Sequence, residues 1–155
     1  MPVEVLSWST LAVRLGAALL VGGIIGWDRR RAGKPAGMRT HMLVSLGSCV
    51  LVLVPLDLGG GADAVGRVIQ GIATGIGFLG AGEILYLRSD ATGKTKVKGL
   101  TSAAAVWFTA ALGIAAGCGL WKVLALATAA TLVILTLVKR LEQLMFGKPR
   151  EGQPK

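Results

Sequence analysis

Five long apolar runs, separated by short polar connections, dominate the pattern of hydrophobic and polar positions along the chain. They cover residues 11–27, 42–58, 68–87, 100–117 and 120–138. Each is close to the ~17–25 residues that an α-helix needs to cross the ~30 Å hydrocarbon core of a bilayer. The pattern therefore predicts an all-α, polytopic membrane protein with five transmembrane helices in a compact bundle. A basic tail, residues 139–155, follows the fifth helix.

Basic residues fall almost entirely on one side of this predicted topology. Fourteen lie in the first connection, the third connection and the tail: Arg29, Arg30, Arg31, Lys34, Arg39, Arg88, Lys94, Lys96, Lys98, Lys139, Arg140, Lys148, Arg150 and Lys155. Only three, Arg14, Arg67 and Lys122, lie on the opposite side. Short basic loops stay in the cytoplasm. We therefore expect the N-terminus outside the cell, and the C-terminus and the tail in the cytoplasm.

The third apolar run is unusually rich in glycine. Its candidate packing residues are Gly71, Gly75, Gly77, Gly80 and Gly82. Gly71 and Gly75 form a GxxxG pair, a spacing that lets neighbouring helices approach closely in a membrane. We therefore expect the third helix at the centre of the bundle. Residues 75–80 also match GxGxxG, but the strand, helix and acidic residue that accompany a dinucleotide site are not evident around them.

Polar residues gather at the predicted cytoplasmic ends of the first four helices. The candidate cluster consists of Asp28, Arg39, His41, Glu83, Lys98 and Thr101. Glu83 is the most informative member, because a carboxylate inside a membrane is costly and often functional. We expect Asp28, Arg39 and Glu83 to form one buried ionic network, with Thr101 nearby. Alternatives are that Glu83 reaches the interface and that His41 only caps or packs its helix.

Composition and charge narrow the function classes. The chain has 155 residues, 53% of them hydrophobic, and a net charge of +9. Membrane topology explains this charge, so we expect no nucleic-acid partner. Asp28 and Glu83 are weak candidates for Mg²⁺ ligands because basic residues surround them, and we expect no resident metal or cofactor. Cys49 and Cys118 form no metal pattern, and no catalytic Ser/His/Asp or Cys/His arrangement can be assembled, so we expect no enzyme.

Four segments carry a family resemblance. Residues 26–29 (GWDR), 33–41 (GKPAGMRTH), 77–82 (GFLGAG) and 98–104 (KGLTSAA) resemble, in that order, the signature segments of the MgtC/SapB family. The resemblance extends over roughly residues 11–138. It implies a multi-pass protein of the bacterial inner membrane, linked to growth at low magnesium, to stress and to survival inside host cells. Larger members add a C-terminal ACT-like domain, and we expect this chain to correspond to the shorter form.

The resemblance also implies a mode of action. Some members are thought to bind other membrane proteins, including the rotary ATP synthase. We therefore expect a regulatory or interaction protein that acts through a membrane partner. A homodimer through the GxxxG face is a further interpretation. The alternative function is a small Mg²⁺ or H⁺ channel or carrier that uses Glu83.

Overall fold

The computed structural model describes residues 6–84, 88–89, 95–96 and 99–146. Within these residues, five helices are long and apolar enough to span a membrane, which confirms the all-α fold class. The first four helices are α1 (Trp8–Arg31), α2 (Met38–Asp57), α3 (Ala62–Ile84) and α4 (Leu100–Gly117). The fifth span consists of α5 (Trp121–Val133) and a π-helical segment (Ile134–Val138), and it leads into the short α6 (Lys139–Phe146).

Two very short strands lie in the connection between α3 and α4. β1 (Arg88–Ser89) pairs antiparallel with β2 (Thr95–Lys96). Two residues per strand are too few to form a sheet layer, so the architecture remains helical. The predicted tail at 139–155 is helical up to Phe146, and residues 147–155 lie outside the described part of the chain.

Helix α1 extends beyond its apolar run at both ends. At its start, the Ser7 hydroxyl accepts a hydrogen bond from the backbone N–H of Thr10 at 3.2 Å, which caps the first turn. At its end, three consecutive arginines occupy the last turn, where positive charge favours the helix dipole. Arg29 is consequently still helical, whereas the sequence pattern placed it in the connection.

Helix α4, rather than α3, lies at the centre of the bundle. In the apolar 18-residue stretch of each helix, 61% of the residues are buried in α4 and only 6% are buried in α3. Helix α4 contacts α1, α2, α3 and α5. The prediction that the glycine-rich third helix is central was therefore wrong. Glycines permit close packing of a helix, but they do not determine which helix of the bundle is surrounded by the others.

Glycines of α1 bring its backbone against α2. A Cβ atom at Gly22 would lie 2.7 Å from the carbonyl oxygen of His41. A Cβ atom at Gly26 would lie 2.5 Å from the Cα of Met38. Because these contacts involve backbone atoms, neither position has room for a larger residue.

A second glycine pair brings α4 against the other side of α2. A Cβ atom at Gly113 would overlap the carbonyl oxygen of Ser45. A Cβ atom at Gly117 would lie 3.0 Å from the carbonyl oxygen of Cys49. Helix α2 is thus held between two GxxxG pairs, Gly22/Gly26 on α1 and Gly113/Gly117 on α4, and this three-helix unit forms the core of the fold.

The glycines of α3 behave differently. A Cβ atom built at Gly71, Gly75, Gly77 or Gly82 would have no neighbour within 4 Å, and only Gly80 of the five predicted packing glycines touches another helix, with 3.6 Å to the Cβ of Ala103. The prediction that these glycines pack inside the bundle was therefore wrong for the other four. Helix α3 instead contacts α2 and α4 through branched residues such as Ile72.

Candidate functional site

Arg29 is the centre of the polar cluster that the fold assembles. Its side chain is only 3% exposed. The Nη2 atom donates a hydrogen bond to the hydroxyl of Ser102 at 3.2 Å, which links α1 to the first turn of α4. A buried guanidinium is retained only where its charge and its donors are compensated, so the surroundings of Arg29 define the site.

Two carboxylates provide part of that compensation. Asp28 and Glu83 are half-buried, and both are close enough for their charges to stabilise the Arg29 guanidinium. Within the described part of the chain, however, no carboxylate oxygen lies within 4.0 Å of an arginine or lysine nitrogen. The acids therefore act on Arg29 through space rather than as direct ion pairs.

Glycine at position 99 places Glu83 beside the start of α4. Gly99 precedes α4 and has φ +104°, a backbone conformation that favours glycine. A Cβ atom at this position would overlap the carbonyl oxygen of Glu83. The close backbone contact fixes the end of α3 next to the helix that carries Ser102, and so brings the carboxylate towards Arg29.

His41 is completely buried in the first turn of α2. Its Nδ1 atom lies 3.0 Å from the carbonyl oxygen of Gly37. A carbonyl can only accept, so Nδ1 carries the proton of the neutral ring and Nε2 is left as an acceptor. Arg29 is close enough for its charge to act on His41. His41 therefore lies among the polar residues around Arg29.

Two other predicted members lie elsewhere. Arg39 is exposed although it is only two residues from His41, because successive positions of a helix face different directions. Thr101 is also exposed, and its neighbour Ser102 faces Arg29 instead. The predicted buried network of Asp28, Arg39 and Glu83 is therefore corrected: Arg29 takes the place of Arg39. Lys98, the remaining predicted member, lies outside the described residues.

A periodic signal could have identified Arg29. Ala18, Gly22, Ile25 and Arg29 recur at helical spacing, and all four are buried. The basic run at residues 29–31 hides this continuity, because it reads as a boundary of the apolar segment. Arg29 occupies the next position of the inward-facing stripe formed by Ala18, Gly22 and Ile25. An arginine that continues such a stripe is expected to be buried, whereas one outside it is expected to be solvated.

A second polar contact closes the opposite end of the three-helix core. Arg14 donates from Nη1 to the carbonyl oxygen of Gly117 at 2.7 Å. Its guanidinium also packs against Gly119, which has φ +72° in the turn between α4 and α5. Burial raises the pKa of the Cys118 thiol in this turn, although Arg14 acts in the opposite direction. The thiol is therefore protonated at neutral pH, which disfavours a nucleophile or metal ligand.

The side chains that could ligate a metal ion are dispersed in the described region. Residues 6–84 and 99–146 contain no group of three or more His, Cys, Asp or Glu side chains arranged to hold a metal ion. Cys49 is buried and donates its thiol to the carbonyl oxygen of Arg14 at 3.7 Å. Asp28 and Glu83, the weak candidates for Mg²⁺ ligands, share their surroundings with the Arg29 cation.

Comparison with known proteins identifies the family. A family model described as the MgtC family matches residues 15–144. The chain belongs to the MgtC family. This result confirms the resemblance carried by the four sequence segments, and together with the five apolar helices it makes the chain a multi-pass membrane protein.

Individual relatives of this MgtC-family chain come from several bacteria. It is 46% identical to the SrpB protein of Synechococcus elongatus over 146 residues, which cover 90% of this chain and 80% of the relative. It is 34% identical to YhiD, a proposed magnesium transporter of Escherichia coli, over 88% of this chain and 64% of the relative. It is 36% identical to the MgtC protein of Brucella abortus, over 94% of this chain and 60% of the relative. The match thus spans less than two thirds of YhiD and of MgtC. No solved structure matches the chain.

Proposed function

We propose that this MgtC-family chain is a regulatory protein of the bacterial inner membrane that acts by binding a helix of another membrane protein against α3, when magnesium is limiting. The open glycine face of α3 carries this proposal. Gly71, Gly75 and Gly82 have no neighbour within 4 Å for an added Cβ atom. In the same chain, GxxxG pairs of α1 and α4 serve as helix contacts. The α3 pair offers the same geometry to a helix from outside.

Gln70 supports this reading. It lies eight residues after the start of α3, about 12 Å along the helix axis, and its side chain is exposed. That depth falls inside the ~30 Å hydrocarbon core if α3 spans it from end to end. An amide facing lipid has no hydrogen-bond partner, and such groups commonly bond across helix interfaces for about 0.6–2 kcal/mol. A partner helix would cover both the glycines and the amide.

A binding role, rather than catalysis, fits four hydroxyl groups of the core. Thr109, Thr128 and Thr131 each donate to the carbonyl oxygen four residues earlier in their own helices. Ser102 accepts from Arg29. These four hydroxyls are engaged in structural hydrogen bonds, whereas a nucleophilic hydroxyl would be bonded to a general base.

The magnesium connection comes from the relatives. YhiD of Escherichia coli is described as a proposed magnesium transporter, and the family model bears the MgtC name. The rotary ATP synthase, a partner implied by the family resemblance, is one protein against which the α3 face can be tested. A second copy of this chain is another.

Photocrosslinking in native membranes, combined with growth, tests the proposal. A photoreactive residue replaces Thr74, which is exposed on α3. We expect a crosslink to one heterologous membrane protein, and loss of that crosslink in Gly75→Leu. Gly16→Leu is the matched control, because Gly16 is an exposed glycine of α1 with open space around it. Gly75→Leu should also abolish support of growth at low magnesium in a strain lacking the gene. Full growth support by Gly75→Leu would refute the proposal.

A second candidate function is a small Mg²⁺ or H⁺ carrier. Two half-buried carboxylates, Asp28 and Glu83, near the buried charge of Arg29 favour it, together with the description of YhiD. Purified protein in liposomes distinguishes the candidates. Cation flux that Glu83→Gln abolishes supports the carrier. An absence of Mg²⁺ and H⁺ flux, with the α3 crosslink retained, supports the regulator.

A further inference from the structure

Three buried polar atoms at the junction of α1, α2 and α4 lack protein partners. They are Arg29 Nε, His41 Nε2 and Ser45 Oγ, and none has a hydrogen-bond partner among the residues that the structure describes. Their side chains are 3%, 0% and 0% exposed. Buried polar groups are almost always hydrogen-bonded, because leaving one unsatisfied costs its full desolvation penalty. Three such atoms on two packed helices therefore indicate that a polar species between the helices supplies the missing hydrogen bonds.

The packing of the helices brings the three side chains to one interface. Gly22 and Gly26 set α1 against α2 at His41 and Met38. The His41 ring reaches back to the Gly37 carbonyl, towards the end of α1 that carries Arg29. Helical side chains tilt towards the N-terminus of their helix, and this tilt also points Ser45 towards the level of His41. Arg29 is close enough for its charge to act on the His41 ring.

The other wall of this interface is α4. Ser45 lies one turn after His41 on the same buried face of α2, and its backbone contacts Gly113. Arg29 is bonded to Ser102 at the start of α4. The side chains of Arg29, His41 and Ser45 thus form a polar column between three helices, which extends from Ser102 at its Arg29 end towards Gly113 at its Ser45 end.

The hydrogen-bonding capacity of the column selects this polar species. Arg29 Nε carries a hydrogen and requires an acceptor, whereas the Nε2 atom of neutral His41 requires a donor. An anion can only accept hydrogen bonds, so it would be repelled by the lone pair of His41 Nε2. A metal cation would bind that lone pair but would be repelled by the Arg29 guanidinium. Water molecules can accept from Arg29, donate to His41 and either donate to Ser45 Oγ or accept from it, and a buried water typically makes about three such bonds.

We propose that Arg29, His41 and Ser45 form an internal water-binding site between α1, α2 and α4, in which water bridges the guanidinium of α1 to the imidazole and hydroxyl of α2. The site is independent of any partner at α3. It explains how a charged residue at the end of α1 and two polar residues of α2 are accommodated at nearly zero exposure, since water completes bonds that the protein atoms leave open.

Radiolytic hydroxyl labelling of the full chain in lipid nanodiscs tests this site. X-rays generate hydroxyl radicals from bound water in place, so side chains beside buried water are modified despite their burial. We expect His41 to be oxidised several-fold faster than Cys49. Cys49 is the internal control, because it lies on the same helix, is also 0% exposed and has the chemically more reactive side chain. Equal protection of His41 and Cys49 would overturn the proposal.

A stability comparison provides a second, independent readout. Ser45→Ala removes a hydroxyl that bonds water if the site is hydrated, so its Tm should fall below that of Ser48→Ala. Ser48 is the matched control, one turn away on α2 and similarly buried, and both changes raise helix propensity equally. If the column is dry, Ser45→Ala removes an unsatisfied group and its Tm should equal or exceed that of Ser48→Ala, which would also overturn the proposal.

Discussion

Replacing one glycine in each of two GxxxG pairs tests which helix occupies the centre of the bundle. Gly113→Ala adds a Cβ atom to α4 that would overlap the carbonyl oxygen of Ser45. The same atom would lie 2.9 Å from the Cα and the carbonyl carbon of Ser45. Gly75→Ala adds a Cβ atom to α3 that meets nothing within 4 Å. The chemical change is identical, and only the neighbourhood differs.

The expected energies follow from these contacts. Since both obstructing groups at Gly113 are backbone, α2 and α4 must separate by more than about 0.5 Å, and a gap of 0.5–1 Å forfeits roughly a quarter to a half of the dispersion energy across it. Overpacking costs about 1–3 kcal/mol, and the cost at Gly113 falls in the upper half of that range because the obstructing backbone cannot move aside as a side chain can. Alanine recovers up to about 1 kcal/mol through helix propensity. We therefore expect Gly113→Ala to destabilise by about 1–2 kcal/mol, and Gly75→Ala to be neutral or to stabilise by up to about 1 kcal/mol.

Equilibrium unfolding in mixed detergent micelles, followed by tryptophan fluorescence, measures both variants against the wild type. Two-state behaviour has to be checked first, by agreement between fluorescence and circular dichroism. A Gly113→Ala variant as stable as the wild type would refute the packing of α4 against α2. A Gly75→Ala variant that loses as much stability as Gly113→Ala would show that the α3 face is already covered.

Three further predictions concern the charged residues and one turn. Arg29→Gln should lower the free energy of unfolding by about 1.5–3 kcal/mol, as expected for the loss of a charged hydrogen bond. Arg39→Gln should change it by less than about 0.5 kcal/mol. Equal effects of the two variants would contradict the conclusion that Arg29, and not Arg39, is the buried arginine of the cluster. Gly119→Ala should destabilise by about 1–2 kcal/mol, because its φ of +72° is unfavourable for a residue with a side chain, and an unchanged midpoint of unfolding would contradict this. In a background without native cysteines, a membrane-impermeant thiol reagent added outside should label Asp63→Cys and not Arg31→Cys, and the reverse would invert the predicted orientation.

The number of helices could be predicted from hydropathy because lipid imposes a length on each apolar run. The ends of the helices could not be predicted as well, since they depend on individual bonds. The Ser7 cap begins α1 before its apolar run, and the helix continues through Arg31 although arginine normally marks a boundary. As a result, Arg29 faces the interior of the bundle instead of lying in the connection between α1 and α2.

The relative positions of the helices were harder to predict for a different reason. Gly22/Gly26, Gly71/Gly75 and Gly113/Gly117 share one spacing, and hydropathy treats them alike. What distinguishes them is the backbone that lies opposite, which is a property of the folded bundle. The same limit applies to the polar cluster, where the direction of each side chain separates buried His41 from exposed Arg39.

The two kinds of glycine also bear on how this family can vary. Gly22, Gly26 and Gly113 have no room for a Cβ atom inside the chain, so selection for folding alone is enough to retain them. Gly71 and Gly75 are free of any such requirement, and drift would replace them with residues that form helices more readily. We therefore expect relatives to keep glycine at these two positions only where another molecule occupies the α3 face. In relatives that have lost that partner, we expect other residues at these positions.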